Sequence, residues 1–579
     1  MSETKTLKSS EAPLPKRCIR VELDDKGKTV IHLEETDGRV GAYISVSHRW
    51  IEPMTSLSST YLANYPERKL GRGFDNLPKL FNDVFYLAIQ LGIPFVWIDS
   101  LCIIQDSIED WKAESIKMGT YYLQARLTVA TSIPDQTATE GLFNTSFNQD
   151  VVPRLVRLPY RGKTGQRGHF YVYPFDYGLK RNYRQQISQS ELLTRSWVFQ
   201  EWLMSRRIVC YTPSGIFMQC QRDLPKSELG EPVDYLDEFT TDASAELSLK
   251  ASWSFGNANA NGLRFGWERI VEAYSRTKFT KPENDRMVAL SGIAQEFSIS
   301  FSKLPTSSTS LSQNRFLAGL WLWCLHQGLL WQQAARGPHQ RLGCFPTWSW
   351  ASIYAQVMWR RGLEATSRHR LECNVQKALI MSPSRLYTLG TEAMDGPEAA
   401  RTAPGNITAE VGRGAESGPS LSDQAAMTTN DFAVLQVRGK LQPVLIRSYF
   451  EKSDAEIVRR VVGQRRSVGQ DCWRTVVLPG SKTMISGWVS VEDPALQSED
   501  AFRTGPVIYT LLVSTESGKG ESALAFGNIL PWHSVCNVLL LKRVGQFFDG
   551  FQRIGVGQLF GPEPEKGFEM ATERAIWLL

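Results

Sequence analysis

The sequence predicts an α/β architecture with a parallel sheet in its N-terminal part, followed by a helical region and a β-rich C-terminal part. Three observations carry this. A buried apolar run, Ile93–Ile98, ends at Asp99; an amphipathic helical pattern precedes it; and short β-prone runs, Ala42–Ser47 and Leu127–Thr131, lie on either side. Strand, helix, strand, helix, strand in that order puts helices on the faces of a parallel sheet.

Residues 1 to about 17 are polar and carry Pro13 and Pro15, so a loose arm is expected there. Leu77, Leu80, Phe81, Val84, Leu87, Ala88 and Leu91 recur at helical spacing, with Asp75 and Asn76 placed to cap the start. A second helix is expected from about 109 to 124, after the capping-box spacing Ser107-x-x-Asp110. Tyr171–Tyr173 reads as a strand and Thr194–Met204 as a helix. Ile208–Tyr211 and Ile216–Gln219, around Pro213-Ser214-Gly215, read as a hairpin. Long helical patterns occupy about 265–300 and 313–332. Residues 391–430, rich in Gly, Ala, Ser, Thr, Pro and Glu, read as a disordered linker. Short β runs follow: Ala433–Val437, Thr483–Val491, Val507–Val513 and Val535–Leu541. The expected division is an arm (1–40), an α/β domain (41–222), a helical extension packed on it (223–352), a connecting segment (353–390), the linker (391–430) and a β-rich region (431–579).

At 579 residues the chain is too long for one core, and its 42% hydrophobic and 22% charged residues are ordinary for a globular protein. The 17 tryptophans are an excess, which either fills large aromatic cores or forms a ligand platform. The net charge of +5 is spread along the chain, and of the basic pairs Arg360-Arg361, Arg459-Arg460 and Arg465-Arg466 only the first has an aromatic neighbour, Trp359. That is no nucleic-acid-binding pattern. No apolar run is long enough to span a bilayer, and the polar start has no signal-peptide core. Nine cysteines without a CxxC pair point to reduced thiols in a cytoplasmic protein, with no disulfide framework or metal site.

Four segments concentrate the chemistry. They are Tyr43-Ile-Ser-Val-Ser-His-Arg-Trp50, Trp97-Ile-Asp-Ser-Leu-Cys-Ile-Ile-Gln-Asp106, Asp110-Trp-Lys-Ala-Glu-Ser-Ile-Lys-Met118 with Tyr122, and Arg195-Ser-Trp-Val-Phe-Gln-Glu201. The polar group Asp99, Ser100, Gln105 and Asp106 follows a buried parallel strand, where open α/β sheets bind ligands. Asp99 and Ser100 also suit a cap and turn, and Trp97 and Cys102 suit the core. On a continuous helix Trp111, Ser115, Met118, Tyr122 and Ala125 form one stripe, with Glu114 about 60° from its middle. Glu114 is then either a partly desolvated carboxylate at the seam of helix and sheet or a surface partner of Lys117. Trp197 and Glu201, with Gln200 beside them, imply a buried carboxylate whose partner is Arg195 or Arg49, for structure or for catalysis. His48 and Cys102 make a weak base–nucleophile pair, since the thiol lies in an apolar run. No GxSxG, GxxxxGK[ST] or GxGxxG motif is present.

The order and content of these four segments, over roughly residues 41–211, resemble the signature of fungal heterokaryon-incompatibility (HET) domains, and "WIDSLCIIQD" is the specific centre. Tyr274-Ser275, Asp285-Arg286, Gly319-Leu320-Trp321, Pro346-Thr-Trp-Ser-Trp-Ala351 and Arg553-Ile-Gly-Val-Gly557 resemble fragments that usually follow in fungal members. Ile51 departs from the usual glycine after the first tryptophan, which predicts a less open first loop.

HET domains are similar to TIR domains at a distance, so the resemblance implies a TIR/flavodoxin-like parallel sheet. Ile44-Ser-Val-Ser-His-Arg49 resembles the start of a TIR domain, and Asp110-Trp111 with Glu114 resembles the helix that carries the catalytic glutamate of NAD-cleaving members. The resemblance thus implies NAD+ as candidate substrate, no resident cofactor and Glu114 as the catalytic carboxylate. Ser47, His48 and Arg49 would supply donors to the diphosphate, Trp50 or Trp111 would stack on a ring, and Asp99 and Ser100 would line the site. Trp97, Gln105, Asp106, Tyr122, Arg195, Trp197, Gln200 and Glu201 complete the motif. It further implies an effector of self/non-self recognition and programmed cell death, triggered by self-association or by a protein partner or allelic product. The alternative is a non-enzymatic signalling module acting by self-association. Glu114 discriminates between the two.

Overall fold

The computed structural model describes residues 12–50, 57–133, 141–143, 156–172, 178–213, 215–221, 223–233, 259–304, 316–335, 339–359, 369–373, 379–381, 432–449, 473–480, 486–493, 496, 507–518, 534–545, 549–560 and 562–579. Ile51, Tyr173, Ser214, the linker 391–430 and the three basic pairs lie outside them. The chain folds as two compact units. The first is 1–258 with 277–279 and 288–293; the second is 259–276, 280–287 and 294–579.

Unit 1 is built on one eight-stranded sheet. Its strands are β1 (Arg17–Leu23), β2 (Thr29–Glu35), β3 (Tyr43–Ser47), β4 (Phe95–Trp97), β5 (Leu127–Thr131), β8 (Arg207–Thr212), β9 (Gly215–Cys220) and β10 (Lys226–Ser227), in the order β10-β9-β8-β5-β3-β4-β1-β2. A separate two-stranded hairpin pairs β6 (Val156–Arg161) with β7 (Arg167–Val172). The expected parallel sheet is present only at the centre, where β8, β5, β3 and β4 run parallel. Antiparallel strands flank it on both sides, so the sheet is mixed.

Burial explains the arrangement. All five residues of β3 are buried, as a central parallel strand covered on both faces requires. The antiparallel β1 pairs Ile19 with Val96 and buries Cys18 and Ile19 completely. Residues 17–35, read as arm from the sequence, therefore belong to the sheet. Their charged alternation on the exposed side hides a strand whose inner face is apolar.

Helix α1 is Tyr65–Lys69 and α2 is Lys79–Gln90, with Leu80, Phe81, Val84 and Ala88 buried as the spacing predicts; Phe85 is buried with them, whereas Leu87 is half-buried and Leu91 exposed. Pro78 opens α2, and Asn76 instead takes a left-handed turn conformation (φ 60°). After α3 (Asp99–Cys102) the expected helix at 109–124 is two helices, α4 (Ile108–Ser115) and α5 (Met118–Gln124). A tight turn, with the Lys117 amide donating to Glu114 O at 2.9 Å, separates them. Ser107 Oγ accepts from the Asp110 amide, so the cap is real. Next come α6 (Leu179–Tyr183) and α7 (Ser196–Met204).

The helical patterns of the following region resolve into α8 (Ala260–Tyr274) and α9 (Pro282–Ser302). The expected helix at 313–332 is absent among the described residues. Phe316–Leu317 and Leu320–Trp321 pair as a minimal hairpin around Ala318 (φ 42°) and Gly319 (φ 93°), and only Leu325–Gly328 is α-helical, as α10. The positive-φ pair reverses the chain where helical spacing of Leu and Trp predicted continuation.

In unit 2, β11 (Trp331–Gln333) pairs with β12 (Val357–Trp359). The C-terminal strands β13 (Phe432–Tyr449), β14 (Trp473–Val477), β15 (Gly487–Val491), β16 (Ile508–Gly518), β17 (Ser534–Val544) and β18 (Gly550–Phe560) close a ring of antiparallel pairings, β13-β16-β17-β18-β15-β14-β13. Helix α11 (Pro562–Met570) follows, and β19 (Glu573–Leu578) adds to β13 and β18. Val444, Val489, Val538, Leu540 and Ile554 fill its core. Backbones cross closely at β18: a Cβ on Gly555 would lie 2.2 Å from Ser490 O, so no side chain fits there. Ten of the 15 tryptophans among the described residues (97, 202, 267, 321, 331, 348, 350, 359, 473 and 488) are buried, which favours the aromatic-core reading.

One buried pair ties this unit together. Arg553 and Glu492 are both wholly inaccessible; Arg553 donates to both Glu492 oxygens (3.1 and 2.6 Å) and to Leu329 O and Trp331 O. Its guanidinium carbon sits 3.6 Å from the centre of the Trp331 ring. Removing one partner strands a buried charge. Arg553→Ala is expected to lower unfolding stability by about 3–5 kcal/mol, measured by urea unfolding of the full chain; a loss under about 1 kcal/mol would deny the pair this role.

Candidate functional site

The carboxyl ends of β3 and β4 gather the motif residues into two clusters. The first forms where β3 runs out. Ser47 and His48 are buried there, and Arg195, at the start of α7, donates through Nη1 to His48 O at 3.3 Å. The half-buried Trp50 donates its indole N–H to Asp99 Oδ2 at 2.7 Å, while Asp99 Oδ1 accepts from the Ser100 amide. Ser100 Oγ is buried with no hydrogen-bond partner among the described residues. Tyr122 donates to Val46 O at 2.9 Å and packs its ring edge on Trp97. A hydroxyl chain below this cluster, Ser45–Thr128–Ser205, links β3, β5 and the end of α7.

Glu201 belongs to this cluster. It is 5% exposed, and its pKa is pushed up to about 7, first by loss of water and then by the negative charge of Asp99. The Ser47 hydroxyl, Arg195 and the Tyr122 hydroxyl oppose that shift without cancelling it. Burial lowers the His48 imidazole below its ordinary value, with Asp99 acting against burial and Arg195 with it. Arg195, rather than Arg49, is thus the cation beside Glu201. Arg49 is exposed and pairs with the exposed Glu191.

The second cluster lies where β1 begins, beside the end of β4. Asp110 accepts from Arg17, from Lys16 at 3.0 Å and from the Ile104 amide at 3.0 Å. Burial alone would raise its carboxyl, but the amide and the two cations hold it below the usual carboxylate value. Glu114 is 1% exposed; Tyr121 Oη donates to its Oε2 at 2.9 Å and Lys117 Nζ lies 3.6 Å from Oε1. Both sequence readings of Glu114 therefore hold in part: it is desolvated, and it pairs with Lys117. The buried face of α4 is Asp110, Glu114 and Ser115, so the stripe is turned towards the acids and Trp111 is only half-buried.

Trp97 stands between the clusters, touching Tyr121 (5.4 Å) and Tyr122 (5.5 Å). Trp111 meets Trp197 edge to face at 6.2 Å. The remaining motif residues hold the frame. Gln105 Nε2 donates to Asp99 O and Ile103 O, and Asp106 Oδ1 accepts from the Leu62 amide. Gln200 Oε1 accepts from the Gly292 amide of α9 where α5 crosses it, and a Cβ on Gly119 would lie 2.8 Å from Gly292 Cα. Burial pushes the Cys102 thiol up to about 12, so it is no nucleophile at neutral pH. Sequence reasoning missed Lys16, Arg17 and Tyr121. Their positions carried no motif, and only the pairing of β1 with β4 brings the two cations to Asp110.

The family model described as heterokaryon incompatibility protein (HET) matches residues 43–201. These residues are a HET domain. No curated protein and no solved structure matches the chain. The HET domain implies a role in heterokaryon incompatibility, and its match spans both clusters while leaving out β1, which supplies Arg17. No helix among the described residues is long and apolar enough to cross a membrane.

The raised Glu201 pKa makes stability depend on pH. Between 4.5, the ordinary value, and about 7, the folded state holds a proton that the unfolded state releases, so stability falls as pH rises and levels off above 7. His48 acts oppositely: below its ordinary value only the unfolded state takes up the proton, so stability falls as pH drops. Relative to Glu201→Gln, the wild type should lose on the order of 3 kcal/mol between about pH 5 and about pH 8. Urea unfolding of both proteins across that range checks it; parallel curves would mean that Glu201 ionises normally.

Proposed function

We propose that this chain is a cytoplasmic heterokaryon-incompatibility effector whose HET domain triggers cell death through a TIR-like nicotinamide–ribose cleavage of NAD+. The observation that carries the reading is the first cluster. It combines an acid that titrates near neutrality, a second buried carboxylate, an arginine and a tryptophan at the carboxyl ends of parallel strands, where open α/β sheets receive ligands. The leaving nicotinamide is neutral once the bond breaks, so no general acid is needed. The demand is a carboxylate that orients the ribose and stabilises an oxocarbenium-like transition state.

Two carboxylates compete for that role. The TIR resemblance favours Glu114, whereas its engagement by Tyr121 and Lys117 supports a framing role for it. Glu201 sits among Asp99, Arg195 and Ser47, which supports it as the group that meets the ribose. Arg195 and Ser47 would then face the diphosphate, Trp50 would stack on a ring, and Arg49 would take part by leaving Glu191.

A second reading rests on burial. Asp99, Asp110, Glu114 and Glu201 are all nearly inaccessible, as in a module that transmits a signal by self-association or through an allelic protein partner without catalysis. The test is cellular NAD+ after induced expression of the full chain as wild type, Glu114→Gln and Glu201→Gln. A marked fall with the wild type, abolished by Glu201→Gln alone, is the expected result. Loss with Glu114→Gln alone returns the role to that residue. Cell death with unchanged NAD+ in all three removes the enzyme and leaves the association module.

A further inference from the structure

The hairpin β6–β7 joins no larger sheet among the described residues, and every residue of Val156–Arg161 is exposed. Its register sorts the side chains by face. Val156 opposes Val172, Leu158 opposes Phe170 and Tyr160 opposes Gly168, so these share one face. That face presents five large apolar groups to solvent, each between 38% and 54% exposed. Arg157, Arg161, Arg167 and His169 occupy the other face, Lys163 sits in the turn, and no Asp or Glu occurs from 156 to 172. Four formal positive charges fall within 17 residues of a chain whose total is +5.

We propose that this hairpin docks on an anionic phospholipid surface, with its apolar face set into the interface and its cations on the headgroup phosphates. Charge selects this occupant. A second copy stacked apolar face to apolar face would bury the same side chains but leave the cations of both copies on the outer faces without a counter-charge. Strand addition along the β6 edge is opposed by Pro159, which has no N–H to give, and along either edge it would leave the apolar face uncovered. A nucleic acid would neutralise the cations and leave the apolar face in water. An anionic bilayer answers both faces at once, as for other interfacial amphipathic elements, and it offers a partner to a two-stranded unit that is marginal alone. The proposal is independent of the chemistry assigned to the HET domain.

The test is flotation of the purified full chain with vesicles of phosphatidylcholine and phosphatidylserine, against vesicles of phosphatidylcholine alone. The wild type should float with the first and not the second. Arg161→Ala with Arg167→Ala should weaken partitioning roughly thirtyfold, at about 1 kcal/mol per cation. Leu158→Ser with Phe170→Ser should weaken it at least about tenfold, with circular dichroism unchanged because neither pair touches the core. Equal flotation of wild type and both variants would overturn the proposal. So would wild-type chain left unbound by phosphatidylserine vesicles, whether it stays monomeric, retains single-stranded nucleic acid or self-associates in a way that Leu158→Ser with Phe170→Ser abolishes.

Discussion

Carboxylates taken out of water must each find a partner, and in unit 1 that requirement organises the neighbourhood of the motif. Asp99 takes the Trp50 indole, Asp110 takes Arg17, Lys16 and an amide, Glu114 takes Tyr121 and Lys117, and Glu201 lies with Ser47, Tyr122 and Arg195. A buried acid without such company would be a large cost to folding. Tryptophans and tyrosines between the acids supply both the apolar filling and the hydroxyl donors. The same solution recurs in unit 2, where Glu492 is met by Arg553 lying on the Trp331 ring.

The two clusters differ in how completely that requirement is met. Around Asp110 two cations and an amide outweigh the loss of water, and the group is fixed as a charge. Around Glu201 they do not, because Asp99 adds a second negative charge to the same space. An acid held near its titration point inside a fold is where chemistry or signalling can be attached, since small changes in its surroundings change its charge.

Much of this was readable from the residues, and the rest failed for identifiable reasons. The spacing of Leu80, Phe81, Val84 and Ala88 gave α2, and Ser107 with Asp110 gave the start of α4, because both signals are local. The burial of Glu114 and Asp110 was hidden, since their partners Arg17 and Tyr121 arrive through a strand pairing and a break after Ser115. A single continuous helical wheel across that break could only place Glu114 at an edge. The β1–β2 hairpin looked like an arm because its exposed charges mask an inner face of Cys18, Ile19 and Val21. The helix expected at 313–332 failed on two residues of positive φ, which periodicity does not register.

The crossing of α5 and α9 at Gly119 and Gly292, clamped by Gln200, sets the scale at which this protein can be divided. The recognisable motif ends at Glu201, yet the glutamine beside it hydrogen-bonds a backbone amide about ninety positions further on. At the other end, the cations that neutralise Asp110 precede the first motif strand. A fragment cut at the borders of the signature would therefore carry Asp110 without its two cations and a clamp with nothing to grip. The heritable pattern and the foldable object are different lengths of the same chain, and an insertion between residues 201 and 292 is free only so long as it returns the helix to that glutamine.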